Sequence, residues 1–356
     1  MTRRLAAVAL TLALVATTAG CSSVAGGGGG ASGLVGQLTD IGAGLRGPAG
    51  LAATVYGRAP KAVAAIAFDA EGRLWVSTAA YDDTGTDGVY LFHGRGAAPV
   101  RVIAGLHTPL GLLWVGDSLY VASKERVEVY RGLRGAQFTS DRTIVLLPSG
   151  VGESNGLVRA PDGRLQLGIS APCDHCTPAS RYSATIVSFR PDGSDLRVDA
   201  RGIRAPVGLA YHPGTDDLYV TIDQRDDLGS HTPGDWLAIV RRGQDWRFPA
   251  CYGQGGTACA GVPSPVAELD PHAGVDGLAI VTDQLGSSLA SSAVVAEWAT
   301  GKVQQVPLSR DGSSTTGEVA AFLTGIEHPS AVTMSPAGAL FVADWATGRI
   351  FRVQPA

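Results

Sequence analysis

Apolar residues in this chain come in short clusters, and the polar breaks between them fall at turn residues rather than at helical intervals. The stretch Arg204-Ala-Pro-Val-Gly-Leu-Ala-Tyr-His-Pro-Gly-Thr-Asp-Asp-Leu-Tyr219 shows the pattern most clearly. One apolar run ends at a Pro213-Gly214 turn, and a second continues through Val220 and Ile222. Runs of Val, Leu, Ile and aromatic residues bounded by Gly, Pro and Asp read as paired strands. The chain has 48 glycines and no long amphipathic 3.6-residue periodicity, so an all-β fold is predicted.

The phrase recurs six times. Its copies are Ala65-Ile-Ala-Phe68 with Gly72 to Val76, Gly111-Leu-Leu-Trp114 with Asp117 to Val121, and Gly156-Leu-Val-Arg159 with Pro161 to Leu165. Gly208-Leu-Ala-Tyr211 with Leu218 to Val220, Gly277-Leu-Ala-Ile280 with the degraded Ala293-Val-Val295, and Ala331-Val-Thr-Met334 with Gly338 to Val342 complete the set. A spacing of roughly 45 to 50 residues leaves room for four strands per unit, which is a propeller period. One such sheet alone would expose both faces; stacking units radially buries them. The prediction is a six-bladed β-propeller. A long stretch from Thr232 to His272 reads as an insertion before the fifth unit. Either Ala53-Thr-Val-Tyr56 or the closing Arg349-Ile-Phe-Arg-Val353 supplies the missing strand of a shared blade; the pattern leaves open which.

The first residues read as an address. Met1-Thr-Arg-Arg4 is basic, Leu5 to Ala16 is apolar, and Thr18-Ala-Gly-Cys21 ends in small residues and a cysteine. This predicts a lipoprotein signal over 1–20 with Cys21 as the lipidated residue; an ordinary secretory signal is the alternative. The apolar run is shorter than the roughly 20 residues that a membrane span needs. Residues 21–50 read as a Gly-rich tether, and 51–356 as the propeller with an insertion around 232–272. The expected location is extracytoplasmic, with the membrane reached through the lipid alone and the protein a monomer. Without Arg3 and Arg4, 26 basic residues face 32 acidic ones, and no basic stripe suits nucleic acid. Four cysteines remain in two close pairs, Cys173/Cys176 and Cys251/Cys259. In an exported chain such pairs predict two local disulfides, a redox or zinc Cys-x-x-Cys being the alternative for the first.

In a propeller the loop entering each innermost strand sits at the channel mouth. Four residues before the Gly of each phrase stand Lys61, His107, Gly152, Arg204, Ala273 (beside His272) and Glu327 (beside His328). If they converge, Lys61, His107, Arg204, His272 and His328 form a basic, proton-transferring mouth; otherwise they are solvated loop residues. Asp223, Asp226, Asp227 and Asp235 could hold Ca²⁺ or cap turns. Trp236, Trp246 and Trp298 lie outside the repeat-equivalent aromatic positions, which marks them as candidate sugar-stacking platforms.

From Gly168 onward the chain resembles the glucose/sorbosone dehydrogenase family of exported six-bladed propellers that use pyrroloquinoline quinone. The resemblance rests on Ala171-Pro-Cys-Asp-His-Cys176, Ala184-Thr-Ile186, Arg190-Pro-Asp-Gly193, Ala200-Arg-Gly-Ile-Arg204 leading to Gly208-Leu-Ala-Tyr-His-Pro213, and Leu218-Tyr-Val-Thr221. It continues through Arg225-Asp-Asp-Leu-Gly229, Thr232-Pro-Gly-Asp235, Phe248-Pro-Ala-Cys-Tyr-Gly253 and Asp270-Pro-His272. It implies a small-molecule sugar, a base histidine (His107, His272 or His328) and a cationic clamp for the quinone carboxylates (Arg204, Lys61 and Lys302). The chain departs from the family with Gly152 where a base histidine is expected, Ala205 in place of an Asn, Asp235-Trp-Leu-Ala238 in place of Asp-Glu-Leu-Asn, Glu297-Trp-Ala-Thr-Gly-Lys302 in place of Gly-Ser-Trp-Asn-Arg, and Glu327-His-Pro329 in place of Gly-Arg-Pro. The expected function is oxidation, or at least binding, of a sugar-type ligand at the channel mouth. A non-catalytic propeller binding a cell-envelope ligand or a protein is the alternative. As a loop residue, Arg204 is expected to be replaceable with little loss of stability.

Overall fold

The computed structural model describes residues 36–81, 87–253, 255, 257–286, 289, 291–308 and 318–356. Its strands form six antiparallel sheets around one axis, confirming the all-β, six-bladed propeller. Blade 1 runs from inside outward through Val63–Phe68, Leu74–Thr78, Gly88–Phe92 and Val100–Ala104. Blade 2 uses Gly111–Val115, Ser118–Ser123, Arg126–Arg131 and Ser140–Leu146; blade 3 uses Ser154–Arg159, Leu165–Ile169, Thr185–Phe189 and Arg197–Arg201. Blade 4 comprises Ala205–Tyr211, Leu218–Asp223, Gly234–Val240 and Ala267–Pro271; blade 5 comprises Val275–Val281, Ser292–Glu297, Lys302–Pro307 and Ala320–Thr324. Blade 6 takes Pro329–Met334, Leu340–Asp344 and Arg349–Pro355 from one end of the chain and Leu51–Arg58 from the other. Val353 pairs with Ala53 in that clasp, so the early strand closes the ring from outside.

Two sequence boundaries change. Within the stretch assigned to a tether, Thr39–Gly42 and Leu45–Gly47 form a hairpin that extends blade 5 to six strands through Arg46 and Thr324. Alternating burial of Ile41 and Leu45 gives that hairpin an apolar face, a signal too short to stand out beside the glycines. The stretch from Thr232 to His272 is not an insertion before the fifth unit. It carries the two outer strands of blade 4, and the excursion lies between Val240 and Ala267. The Cys251–Cys259 disulfide closes a loop within it. The signal segment and Cys21 lie outside the described residues, among which no helix is long and apolar enough to cross a membrane.

The repeat pattern has a packing cause. Each pair of neighbouring blades encloses its own apolar cluster; Trp75, Leu91, Leu112 and Leu119 belong to the one between blades 1 and 2. Leu237, Tyr219, Val275 and Val295 belong to the one between blades 4 and 5. Burying each large side chain contributes about 1.5–3 kcal/mol, so no blade is stable without its neighbours. The Gly of the phrase marks where inner strands meet. A Cβ at Gly111, Gly156 or Gly208 would lie 2.5 Å from the Asn155, Val207 or Asp276 carbonyl oxygen of the next blade. One at Gly277 would lie 2.5 Å from the Val332 nitrogen. Glycine is there for close approach, not for chemistry.

Candidate ligand site at the channel mouth

The six inner strands enclose a central cavity of about 1240 Å³. One end is lined by Phe68, Trp114, Tyr211 and Met334, where the inner strands finish. The other end collects the starts of the inner strands and the ends of the second strands, because the registers pair Ala205 with Asp223, Val275 with Glu297 and Pro329 with Asp344. Tyr81, Glu153, Arg204, Asp223, Asp276, Trp298 and Trp345 line the cavity here.

Arg204 reaches this mouth but is already engaged. Its Nη2 donates to Asp174 Oδ1 at 2.5 Å, its Nη1 to Asp223 Oδ2 at 2.8 Å, and its Nε to the Asp174 carbonyl at 3.2 Å. Burial opposes its charge, but the Asp223 and Asp174 carboxylates overcome this and hold its pKa above the usual arginine value. Asp174 sits in the loop closed by the Cys173–Cys176 disulfide. The same carboxylate accepts from the backbone amides of Asp226 and Asp227. The Cys-x-x-Cys pair therefore braces the arginine.

The other sequence candidates scatter. Lys61 and His107 are exposed and outside the cavity lining. Lys302 is ion-paired with Asp270, with Glu297 at 3.8 Å, in the third strand of blade 5. His272 is exposed; its Nε2 bonds the Gly229 carbonyl at 3.0 Å and its Nδ1 bonds Asp226 at 2.8 Å, which together raise its pKa. His328 stacks on Trp298 with ring centroids 4.0 Å apart and the planes tilted by 12°. Its Nδ1 lies 2.9 Å from the Trp298 carbonyl, so it stands behind the aromatic wall. The histidines and lysines are thus not brought together on the axis.

The four aspartates proposed for Ca²⁺ are separately committed. Asp227 pairs with Arg225, which lowers its pKa to about 2, and Asp226 takes His272. Asp223 takes Arg204, while Asp235 is buried and accepts from the Gln224 and Val275 amides. Among the described residues no three His, Cys, Asp or Glu side chains gather as a metal would need. Asp223 and Asp235 instead influence each other's titration, and burial raises the pKa of both. Burial and the Asp223 charge push the Asp235 pKa up to about 9, against the two backbone amides that it accepts from.

Asp276 was missed in the sequence. It occupies the position immediately before the repeat Gly, where the inner strand bulges against its neighbour between Val275 and Leu278. The equivalent residues are Ala64, Leu110, Asn155, Val207 and Ser330. Asn155 donates to the Pro206 carbonyl and Ser330 to the Val63 carbonyl, so polar groups there normally bind the next blade. An aspartate cannot donate in that way when ionised. Among the described residues, no donor reaches the Asp276 carboxylate. Burial and the Asp223 charge push it up to about 8. Comparing the residue one before the Gly, rather than four before, would have singled it out.

Of the three tryptophans marked in the sequence, Trp236 and Trp246 are core residues with 4% and 1% exposure. Trp298 lines the mouth, edge-on to Trp345 at 5.7 Å. Trp345 is anchored by its indole N–H on the Ala79 carbonyl at 3.1 Å. Tyr81 completes the wall, 58% exposed in the cavity opening.

Solved structures share this architecture. A calcium structure of a Trichoderma reesei carbohydrate-active enzyme of family AA12 superposes with TM-score 0.73 at 16% identity, covering 92% of this chain and all of that one. The holo pyranose dehydrogenase PQQ domain of Coprinopsis cinerea gives 0.70 at 15%, covering 87% and 97%. The PQQ-bound aldose sugar dehydrogenase of Streptomyces coelicolor gives 0.66 at 20%, covering 86% and 99%. No family model and no curated relative matches the sequence. What is shared is the fold.

The mouth does not fit a quinone with three carboxylates. Arg204 is the only Lys or Arg among the described lining residues, and two carboxylates already neutralise it. Glu153, Asp223 and Asp276 face the same space. At the position where the resemblance expects a base histidine, a Cβ on Gly152 would sit 2.3 Å from the Ser170 oxygen. No side chain fits there without moving that backbone.

Proposed function

We propose that this protein is an extracytoplasmic propeller, attached to the membrane through a lipid on Cys21, that binds one small sugar at the channel mouth as a monomer. The observation that carries the reading is the Trp298–Trp345–Tyr81 wall sharing the channel mouth with Glu153, Arg204, Asp223 and Asp276. Aromatic faces take the C–H face of a pyranose, and carboxylates accept from its hydroxyls. The shared architecture with sugar dehydrogenases supports the ligand class. Calorimetric titration of a panel of mono- and disaccharides tests it. A saturable sugar that Trp298→Ala weakens about tenfold or more supports the proposal, and no binding across the panel refutes it. Cys21→Ser should move the protein from the membrane fraction to the soluble one.

Quinone-dependent oxidation of that sugar is the second reading, favoured by the neighbours' fold alone. Adding pyrroloquinoline quinone and Ca²⁺ and following dye reduction with aldoses tests it. Our reading expects no stimulation and no quinone binding; either one, observed, restores the oxidoreductase.

A further inference from the structure

Asp276 is the one acidic member of its repeat position, and it has no donor among the described residues. The titratable groups that share the mouth with it and interact with its charge are Asp223 from blade 4 and Tyr81 from blade 1. Glu153 from blade 3 is exposed in the same mouth, and Arg204 lies beyond Asp223 in its double ion pair. No cation among the described lining residues is free to answer these carboxylates. Aromatic rings form the rest of the wall, and their faces attract cations as well as sugar C–H groups.

Resting on the sugar-binding reading, we propose that the mouth selects a cationic sugar, an aminosugar whose free ammonium pairs with Asp276 while its ring lies against the Trp298–Trp345–Tyr81 wall. An ammonium has three donors and would satisfy the carboxylate that the fold leaves without one. A neutral sugar offers hydroxyls but no charge, and an anionic sugar meets Glu153 and Asp223. The protein around it and the Asp223 charge raise the Asp276 pKa to about 8, so at pH 6.5 seating a cation beside it displaces a proton to solvent. The balance is one ammonium in and one proton out.

The test is calorimetry on the full-length protein at pH 6.5, where an aminosugar is cationic, with D-glucosamine, D-glucose and N-acetyl-D-glucosamine as probes. Repeating each titration in two buffers of different ionisation enthalpy gives the protons released per ligand bound. The proposal expects glucosamine to bind at least tenfold more tightly than the two neutral sugars. It also expects release of about half a proton or more with glucosamine and none with the neutral ligands. In Asp276→Asn the glucosamine-to-glucose affinity ratio should fall to near one and the proton release should vanish. Equal affinities, no proton release from the wild-type protein, or an unchanged ratio in the variant each overturn it. If the neutral sugars bind and glucosamine gains nothing, this inference fails while the sugar-binding reading stands. If none of the three binds and the wider sugar panel is also silent, both fail.

Discussion

Arg204→Ala should cost this protein a measurable part of its stability, contrary to what a loop position suggests. The guanidinium and its Asp223 partner keep only 16% and 24% of their side-chain exposure, and removing the arginine leaves the Asp223 carboxyl without its counterion. Breaking a fully buried pair costs about 3–5 kcal/mol. The residual exposure of both groups reduces this to about 2–3 kcal/mol. At the lower part of the ~2–4 °C per kcal/mol expected for large domains, the melting temperature should fall by about 4–8 °C. Burial already raises the Asp223 pKa despite Arg204, and without the arginine it rises further. At low pH Asp223 is protonated in both the folded and unfolded states, so the deficit should be largest near pH 7.5 and shrink towards pH 4. Thermal unfolding of wild type, Arg204→Ala and Arg204→Ala/Asp223→Asn at both pH values measures it, and the double variant should recover most of the loss. A shift below about 1 °C, no recovery in the double variant, or a deficit that grows on acidification would refute the reasoning.

Asp276 carries a separate pH signature. Its folded pKa of about 8 lies above the ~3.9 of an unfolded chain, so its contribution is fully present below pH 4 and is lost as pH rises towards 8. In urea titrations, wild type should therefore lose stability relative to Asp276→Asn between pH 5 and 8 and run parallel to it above pH 9; parallel curves throughout would contradict the raised pKa. Gly208→Ala should cost about 1–3 kcal/mol by overpacking, since its Cβ would fall 2.5 Å from the Asp276 backbone carbonyl oxygen; an unchanged urea midpoint would show that the inner strands can part. Replacing Cys251 and Cys259, eight residues apart, with serine should cost about 2–3 kcal/mol, readable as a lowered denaturation midpoint and earlier proteolysis between residues 241 and 266.

The repeated phrase carries most of the fold because each unit solves the same packing problem locally. An apolar inner strand, a tight turn and an apolar second strand are visible within one window, and the glycine that lets inner strands touch recurs with them. Six copies therefore imply six blades. The boundaries were less legible where the signal was non-local. Leu51–Arg58 joins blade 6 only because Arg349–Pro355 arrives from the far end of the chain. The hairpin of Thr39–Gly42 and Leu45–Gly47 shows its role only against blade 5.

The site divides along the same line. Sequence alone made legible the two close cysteine pairs, the candidacy of Arg204 for the mouth and that of Trp298 as one of three tryptophans outside the repeat pattern, since each depends on local spacing or on a position common to all units. Only the tertiary structure decided which charges share the channel. Whether Arg204 is free or bound depends on Asp174, thirty residues earlier, and on the second strand of its own blade. Whether Asp276 is a solvated turn residue or a half-buried acid with a raised pKa depends on a bulge and on side chains from blades 1, 3 and 4. Strand periodicity is a property of neighbours in sequence, whereas the protonation of a carboxyl is set by everything within a few ångströms, and in a propeller those neighbours come from different blades.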